Sequence, residues 1–138
     1  MTLVDTSAWV EYLRATGSGT HRMVRRLLEG DAKVHTTDVV VMEMLAGARD
    51  DEHHDQLRRL LAHCDYTPVE GLADYEAAAG LYRACRRAGE TVRALTDCLI
   101  AAVALRTEVL VVHADRDFEV LARHTGLAAE RGESSSSG

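Results

Sequence analysis

Lysine is almost missing from this chain, which holds Lys33 alone against fifteen arginines. A phospho-acceptor signalling domain, which needs a lysine after a late strand, is thereby excluded. Proline occurs once, at Pro68, so neither a proline-rich linker nor a collagen-like chain is present. Aromatic residues make up 4%, which argues against a single-strand binder that stacks each base on an exposed ring and leaves the core to aliphatic side chains. Positive charge is in deficit: the net charge of −6 counts against a grip on nucleic acid through bulk charge. The three cysteines, Cys64, Cys85 and Cys98, are odd in number and far apart, so they define no disulfide framework or zinc knuckle and suit a reducing interior. The longest apolar run, Cys98 to Leu105, is too short to span a bilayer. Asp5 and Glu11 fall where an export signal would be apolar. A soluble, cytoplasmic protein without membrane association is expected.

The 138 residues, 46% of them hydrophobic, suffice for one compact domain. We expect that domain over 1–130, with 131–138 a flexible tail ending in low-complexity Ser134–Gly138. Thr2-Leu-Val reads as a buried strand closing on Asp5, after which Ser7 supplies a hydroxyl to cap a helix. Helices are expected over Thr20–Glu29, Val39–Ala48 (capped by Asp38), from Asp50 onward, over Leu72–Arg87, Leu95–Leu105 and Arg116–Arg123. Lys33–Thr37 and Val109–Val112 read as strands. In the Leu72–Arg87 helix, Leu72, Tyr75, Ala78, Ala79, Tyr82 and Cys85 share one face, predicted to be the buried one. Short apolar strands alternating with helices indicate an α/β fold with a mainly parallel sheet, in which ligands bind at the carboxyl ends of strands.

Acids interrupt the apolar pattern. Glu43 sits inside Val39-Val-Val-Met-Glu-Met-Leu-Ala, Asp97 opens Asp-Cys-Leu-Ile-Ala-Ala, and Asp5 closes the first strand. Burying an unpaired carboxylate costs several kcal/mol unless a cation, donors or a proton accompanies it. Asp115 and Asp117 follow the second strong strand. Taken singly, Asp5, Asp97, Asp115 and Asp117 can be read as helix-end acids, which caps and dipoles favour; Glu43 resists that reading. If all five converge, their repulsion raises their pKa values unless divalent cations lie among them, and oxygen ligands suit Mg²⁺ or Mn²⁺. Outside the five, the chain is nearly neutral, so its acidity says little against a phosphate substrate.

Four segments, Val4-Asp-Thr-Ser-Ala-Trp, Met42-Glu-Met-Leu-Ala-Gly, Thr96-Asp-Cys-Leu-Ile-Ala-Ala and His113-Ala-Asp-Arg-Asp-Phe, together resemble the PIN domain, and within it the VapC-type toxins of bacterial toxin–antitoxin pairs. The resemblance runs from the first strand to about Gly126. It implies a three-layer α/β/α sandwich with a small parallel sheet and a Mg²⁺- or Mn²⁺-dependent endoribonuclease acting on structured RNA such as tRNA or rRNA. Its acidic quartet falls on Asp5, Glu43, Asp97 and Asp115 as catalytic residues, with Asp117 a further metal ligand, holding one or two ions. Thr6, Ser7, Thr96 and His113 would support these ligands; His113 stands where many relatives have Thr or Ser, and Cys98 where Ala is common. The resemblance further implies a VapB-type antitoxin laid over the acidic site and a homodimer.

Arg93 and Arg116 flank the acids and are candidates for positioning RNA phosphates. Arg86 and Arg87, with Arg83, read equally as a solvated helix face. His53-His54 lacks the spacing of a zinc site. On the first helix, Trp9 and Tyr12 are expected to be partly exposed toward a partner helix, and Leu13 to pack in the core. A haloacid-dehalogenase-type phosphatase is set aside because Ser7 stands where its second aspartate belongs. A DNA-directed nuclease and a catalytically idle interaction module of the same fold remain as alternatives.

Overall fold

A computed structural model describes residues 1–132. Five strands, β1 (Thr2–Val4), β2 (Val34–Thr36), β3 (Asp65–Tyr66), β4 (Leu110–His113) and β5 (Ala129–Arg131), form one sheet in the order β3-β2-β1-β4-β5. Every pairing is parallel, with Leu3 opposite His35 on one side and Val111 on the other. The helices between them are α1 (Thr6–Leu13), α2 (Gly19–Glu29), α3 (Asp38–Ala46), α4 (Asp51–Ala62), α5 (Gly71–Arg87), α6 (Leu95–Thr107) and α7 (Arg116–His124). The chain moves outward from β1 to β3, then crosses back to β4 and β5. Right-handed crossovers therefore place α1–α4 and α5–α7 on opposite faces, giving an α/β/α sandwich. The reversal falls between β1 and β4, and a crevice opens at their carboxyl ends.

Both faces of the central strands are covered, so each reads as a continuous apolar run. Leu3, Val4, Val111 and Val112 are at most 1% exposed. Helix α6 is buried over Asp97–Ala104, as its uniform apolarity requires. It ends at Glu108 in the left-handed region (φ 57°), an uncommon conformation for a residue with a Cβ.

The structure corrects several expectations. Asp5, not Ser7, caps α1: its carboxylate accepts from the Ser7 N–H. Thr37 is the cap position of α3, and Asp38 lies inside the first turn, where Oδ1 accepts from the Val69 N–H at 2.8 Å. Trp9 is fully buried and Leu13 is 45% exposed, the reverse of their expected roles; Tyr12 packs edge-on against Trp9. Helix α5 buries Asp74, Ala78 and Cys85 while leaving Leu72 and Tyr75 outside. The rotation follows from Asp74, whose carboxylate takes Nε and Nη2 of Arg106 at 3.1 and 2.9 Å and so enters the interior as a pair. Two strands lack a sequence signal. β3 has two residues and no apolar pattern, and β5 ends in Glu130-Arg131. Since Arg131 pairs with His113 and the Gly132 N–H donates to Thr20 Oγ1, the fold continues past the expected boundary at 130. The rest of the expected tail, 133–138, lies outside the described residues.

Candidate metal centre

Each acid reaches the crevice by a different local route. Asp5 leaves β1 and turns the chain into α1: its N–H donates to the Val112 carbonyl at 3.0 Å, fixing it beside β4. Its Oδ2 accepts from the Ser7 N–H at 2.9 Å and the Ser7 hydroxyl at 2.5 Å. The same Ser7 oxygen accepts from the Ala114 N–H at 2.9 Å, so one hydroxyl joins the ends of both central strands. Asp5 is 3% exposed, and its other oxygen, Oδ1, is buried without a hydrogen-bond partner. Asp115 caps α7, with Oδ1 accepting from the Asp117 N–H at 2.9 Å. Asp117, 1% exposed, reaches across to the α5–α6 loop and accepts from the Arg93 and Ala94 N–H groups at 2.9 and 3.0 Å. Asp97 lies in the first turn of α6, which that loop delivers.

Oxygens of Asp97, Asp115 and Asp117 all lie within 4.8 Å of one another. Among the described residues no Lys, Arg or His side chain is paired with Asp5, Glu43, Asp97, Asp115 or Asp117. Burial pushes Asp97 up to about 9, helped by a side-chain hydrogen bond with Asp117 and by the charges of Asp5, Asp115 and Asp117. Burial also raises Asp5 to about 6, against the two Ser7 hydrogen bonds and assisted by the charge of Glu43. Buried carboxylates that raise one another's pKa in this way are stabilised by a positive charge placed among them. The unpartnered Asp5 Oδ1 and the all-oxygen donor set fit a hard divalent cation.

The supporting residues separate. Thr6 donates to Glu43 Oε1 at 3.0 Å, holding that half-buried acid at the edge of the cluster from α3. His113 is 1% exposed, packs on Phe118, and its Nδ1 accepts from the Asp115 N–H at 3.2 Å, so it braces the turn rather than a carboxylate. Thr96 is half-buried and makes no side-chain hydrogen bond among the described residues. Arg93 is exposed with its backbone on Asp117, whereas Arg116 lies 3.5 Å from Glu90. Arg86 and Arg87 are exposed farther along α5, Arg86 over the Tyr82 ring. His53 Nδ1 accepts from the Arg49 N–H and joins no metal-binding group among the described residues.

Sequence reasoning missed two polar devices: the Asp74–Arg106 pair, and Glu90, which gathers Arg116, Arg123 and His124. Nothing local marks Asp74, which shares α5 with Glu76 and three arginines. The same holds for Glu90, whose partners lie in α7.

A parallel sheet with a reversal between β1 and β4, and acids from β1, α3, α6 and the β4–α7 turn at that crevice, define the acidic-centre class of α/β nuclease folds. The chain belongs to the PIN-domain family, whose model matches residues 2–124, and within it to the VapC group. It is 53% identical to ribonuclease VapC11 of Mycobacterium tuberculosis (strain ATCC 25618 / H37Rv) over 130 residues, 94% of this chain and 97% of the relative. VapBC2 from Rickettsia felis, solved bound to a DNA fragment from its promoter, superposes with a TM-score of 0.75 at 14% identity over 96% and 98% of the two chains. VapBC-5 from Mycobacterium tuberculosis, a member of the VapBC family of toxin–antitoxin systems, gives 0.62 at 22% identity over 94% and 97%.

Proposed function

We propose that this chain is the toxin of a toxin–antitoxin pair and cleaves RNA as a Mg²⁺- or Mn²⁺-dependent endoribonuclease. The observation that carries the reading is the convergence of Asp97, Asp115 and Asp117 within 4.8 Å, beside a buried Asp5 oxygen that has no partner. Asp5, Asp97, Asp115 and Asp117 would hold one or two ions, with Glu43 as an outer ligand. A bound divalent cation supplies Lewis acidity at a phosphoryl oxygen and an acidified water. The protein's part is placement. Ser7 fixes one Asp5 oxygen and leaves the other for the ion, and Thr6 occupies one Glu43 oxygen so that the second can orient the attacking water. Arg93 and Arg116, with Arg86 and Arg87 behind them, would take the phosphates of the strand on either side.

Membership in the VapC group supports structured RNA, tRNA or rRNA, as the substrate, and a cytoplasmic setting. The solved VapBC neighbours support a VapB-type antitoxin as partner, and the family resemblance implies that it lies over the acidic centre. A groove between α1, α3 and α4 suits such a segment: Val10, Leu13, Met44 and Leu57 line it, Arg14 and Arg49 rim it, and it ends at Thr6 and Glu43. Homodimerisation is supported by apolar side chains left in solvent on α3, β3 and α5, namely Met42, Tyr66, Leu72 and Tyr75, each more than half exposed.

The test is cleavage of total tRNA, rRNA and matched DNA by antitoxin-free protein with Mg²⁺ or Mn²⁺, beside EDTA and the Asp5→Asn and Asp97→Asn variants. Discrete RNA cuts that need metal and both aspartates are expected. Cuts in DNA alone would establish the DNA-directed alternative. Absence of metal-binding heat together with absence of cleavage would leave the idle interaction module.

A further inference from the structure

We propose that Glu90, outside the acidic cluster, is a positioning residue for it: through Arg116, Arg123 and His124 it sets the spacing between the helix carrying Asp97 and the turn carrying Asp115 and Asp117. This rests on the metal-site reading given above. The α5–α6 loop, 88–94, makes two attachments to α7. The inner one is the Asp117 carboxylate on the Arg93 and Ala94 N–H groups. The outer one is Glu90, whose Oε1 accepts from Arg123 Nε at 3.0 Å and lies 2.8 Å from His124 Nε2. Its Oε2 accepts from Arg123 Nη2 at 2.6 Å and lies 3.5 Å from Arg116 Nη2.

Arg116 and Arg123 are seven residues apart, hence on one face of α7 two turns apart. A single carboxylate that meets both, and His124 as well, fixes the height and the rotation of α7 against the loop. A bidentate Arg contact adds directional restraint that a lone ammonium would not. Hydrogen bonds from Arg123 and then His124 hold the Glu90 carboxyl down to about 2, so Glu90 stays ionised at neutral pH. The loop leads directly into the first turn of α6, where Asp97 sits. Displacing it moves Asp97 relative to Asp115 and Asp117, and outer partners that orient ligands commonly change metal affinity 10–100-fold. Val92, 1% exposed, anchors the loop in the core independently, so loss of the clamp alters its seating rather than its folding.

The experiment compares wild type with Glu90→Gln, and with Arg123→Gln as a second route to the same loss that leaves Glu90 in place. In metal-free protein, NMR hydrogen exchange at the Arg93 and Ala94 amides should accelerate about tenfold or more in both variants, while core amides of α6 are unchanged. By calorimetry, Mn²⁺ should bind each variant about tenfold more weakly than wild type. Amide exchange and Mn²⁺ affinity both within twofold of wild type would overturn the proposal, even if thermal stability falls, because Glu90 would then serve stability alone. A wild-type protein that binds no Mn²⁺ would overturn the metal-site reading, and the amide-exchange result would still decide whether Glu90 clamps the loop.

Discussion

Replacing Asp97 by asparagine should abolish metal binding and at the same time stabilise the metal-free protein. Asp97 is 6% exposed, and burial with the neighbouring acids carries its pKa from 3.8 to about 9. The folded state therefore binds its proton more tightly than the unfolded state, and stability declines as pH rises from about 4 to about 9, the opposite of a salt-bridged carboxylate. Each pH unit in that window costs up to about 1.4 kcal/mol. At pH 7 the cumulative loss reaches about 4 kcal/mol as an upper bound. An asparagine side chain at this position does not titrate and keeps the shape of the aspartate, so it removes this loss. Metal-free Asp97→Asn should match wild type near pH 4 and exceed it by about 2–4 kcal/mol at pH 7.5, or roughly 8–15 °C in Tm for a domain of this size. Scanning calorimetry of both proteins in EDTA, from pH 4 to 8.5, measures the gap. Mn²⁺ should then raise the Tm of wild type and leave the variant unmoved. A variant no more stable than wild type at pH 7.5, or a gap that does not widen with pH, would refute the electrostatic account of the centre.

Three further outcomes are expected. Arg106→Met strands the 3%-exposed Asp74 carboxylate and should cost about 3 kcal/mol in urea unfolding at pH 7. Asp74 is held below its usual range, chiefly by its hydrogen bond from Arg106, so the stabilisation is complete above about pH 4 and vanishes as pH falls through the depressed pKa; the gap to wild type should narrow there. Glu108→Gly relieves the left-handed end of α6 and should stabilise by about 0.5–1 kcal/mol, with the same chemical-denaturation slope; an unchanged or lower midpoint would count against strain at that turn. Tyr75→Glu, combined with Leu72→Glu, places charge on the exposed face of α5 and should convert a dimer to monomer by light scattering without loss of fold; an unaltered mass would move the dimer contact elsewhere.

The acids were legible because they break a pattern. Glu43 among valines and methionines, and Asp97 ahead of an apolar helix, are costly wherever they are buried, so their presence points to a compensating ion. The strand–helix alternation was legible from periodicity, as were most helix limits, because short buried strands and a uniformly apolar α6 have few other uses. The face of α5 was misread since hydrophobic spacing alone cannot weigh a buried ion pair: Asp74 looks like a solvent residue until Arg106, from the next helix, reaches it. Trp9 and Leu13 exchanged expected roles although they share one face of α1: Trp9 lies mid-helix against the core, whereas Leu13 is the last residue of the helix and is left outside, a difference along the axis that spacing does not reveal.

By itself the sequence determined which chemistry the chain can support, since hard oxygen donors in apolar surroundings follow from residue identity and local pattern. It also determined the order of the elements that carry them. Tertiary structure alone decided that Asp117 serves backbone amides of a loop more than 20 residues earlier, that one Ser7 hydroxyl joins both central strands, and that Glu90 gathers two arginines and a histidine from α7. These are contacts between groups distant in sequence, and no local propensity encodes them. They exist because parallel strands bring every carboxyl end to one edge of the sheet, where the reversal between β1 and β4 leaves room for charge.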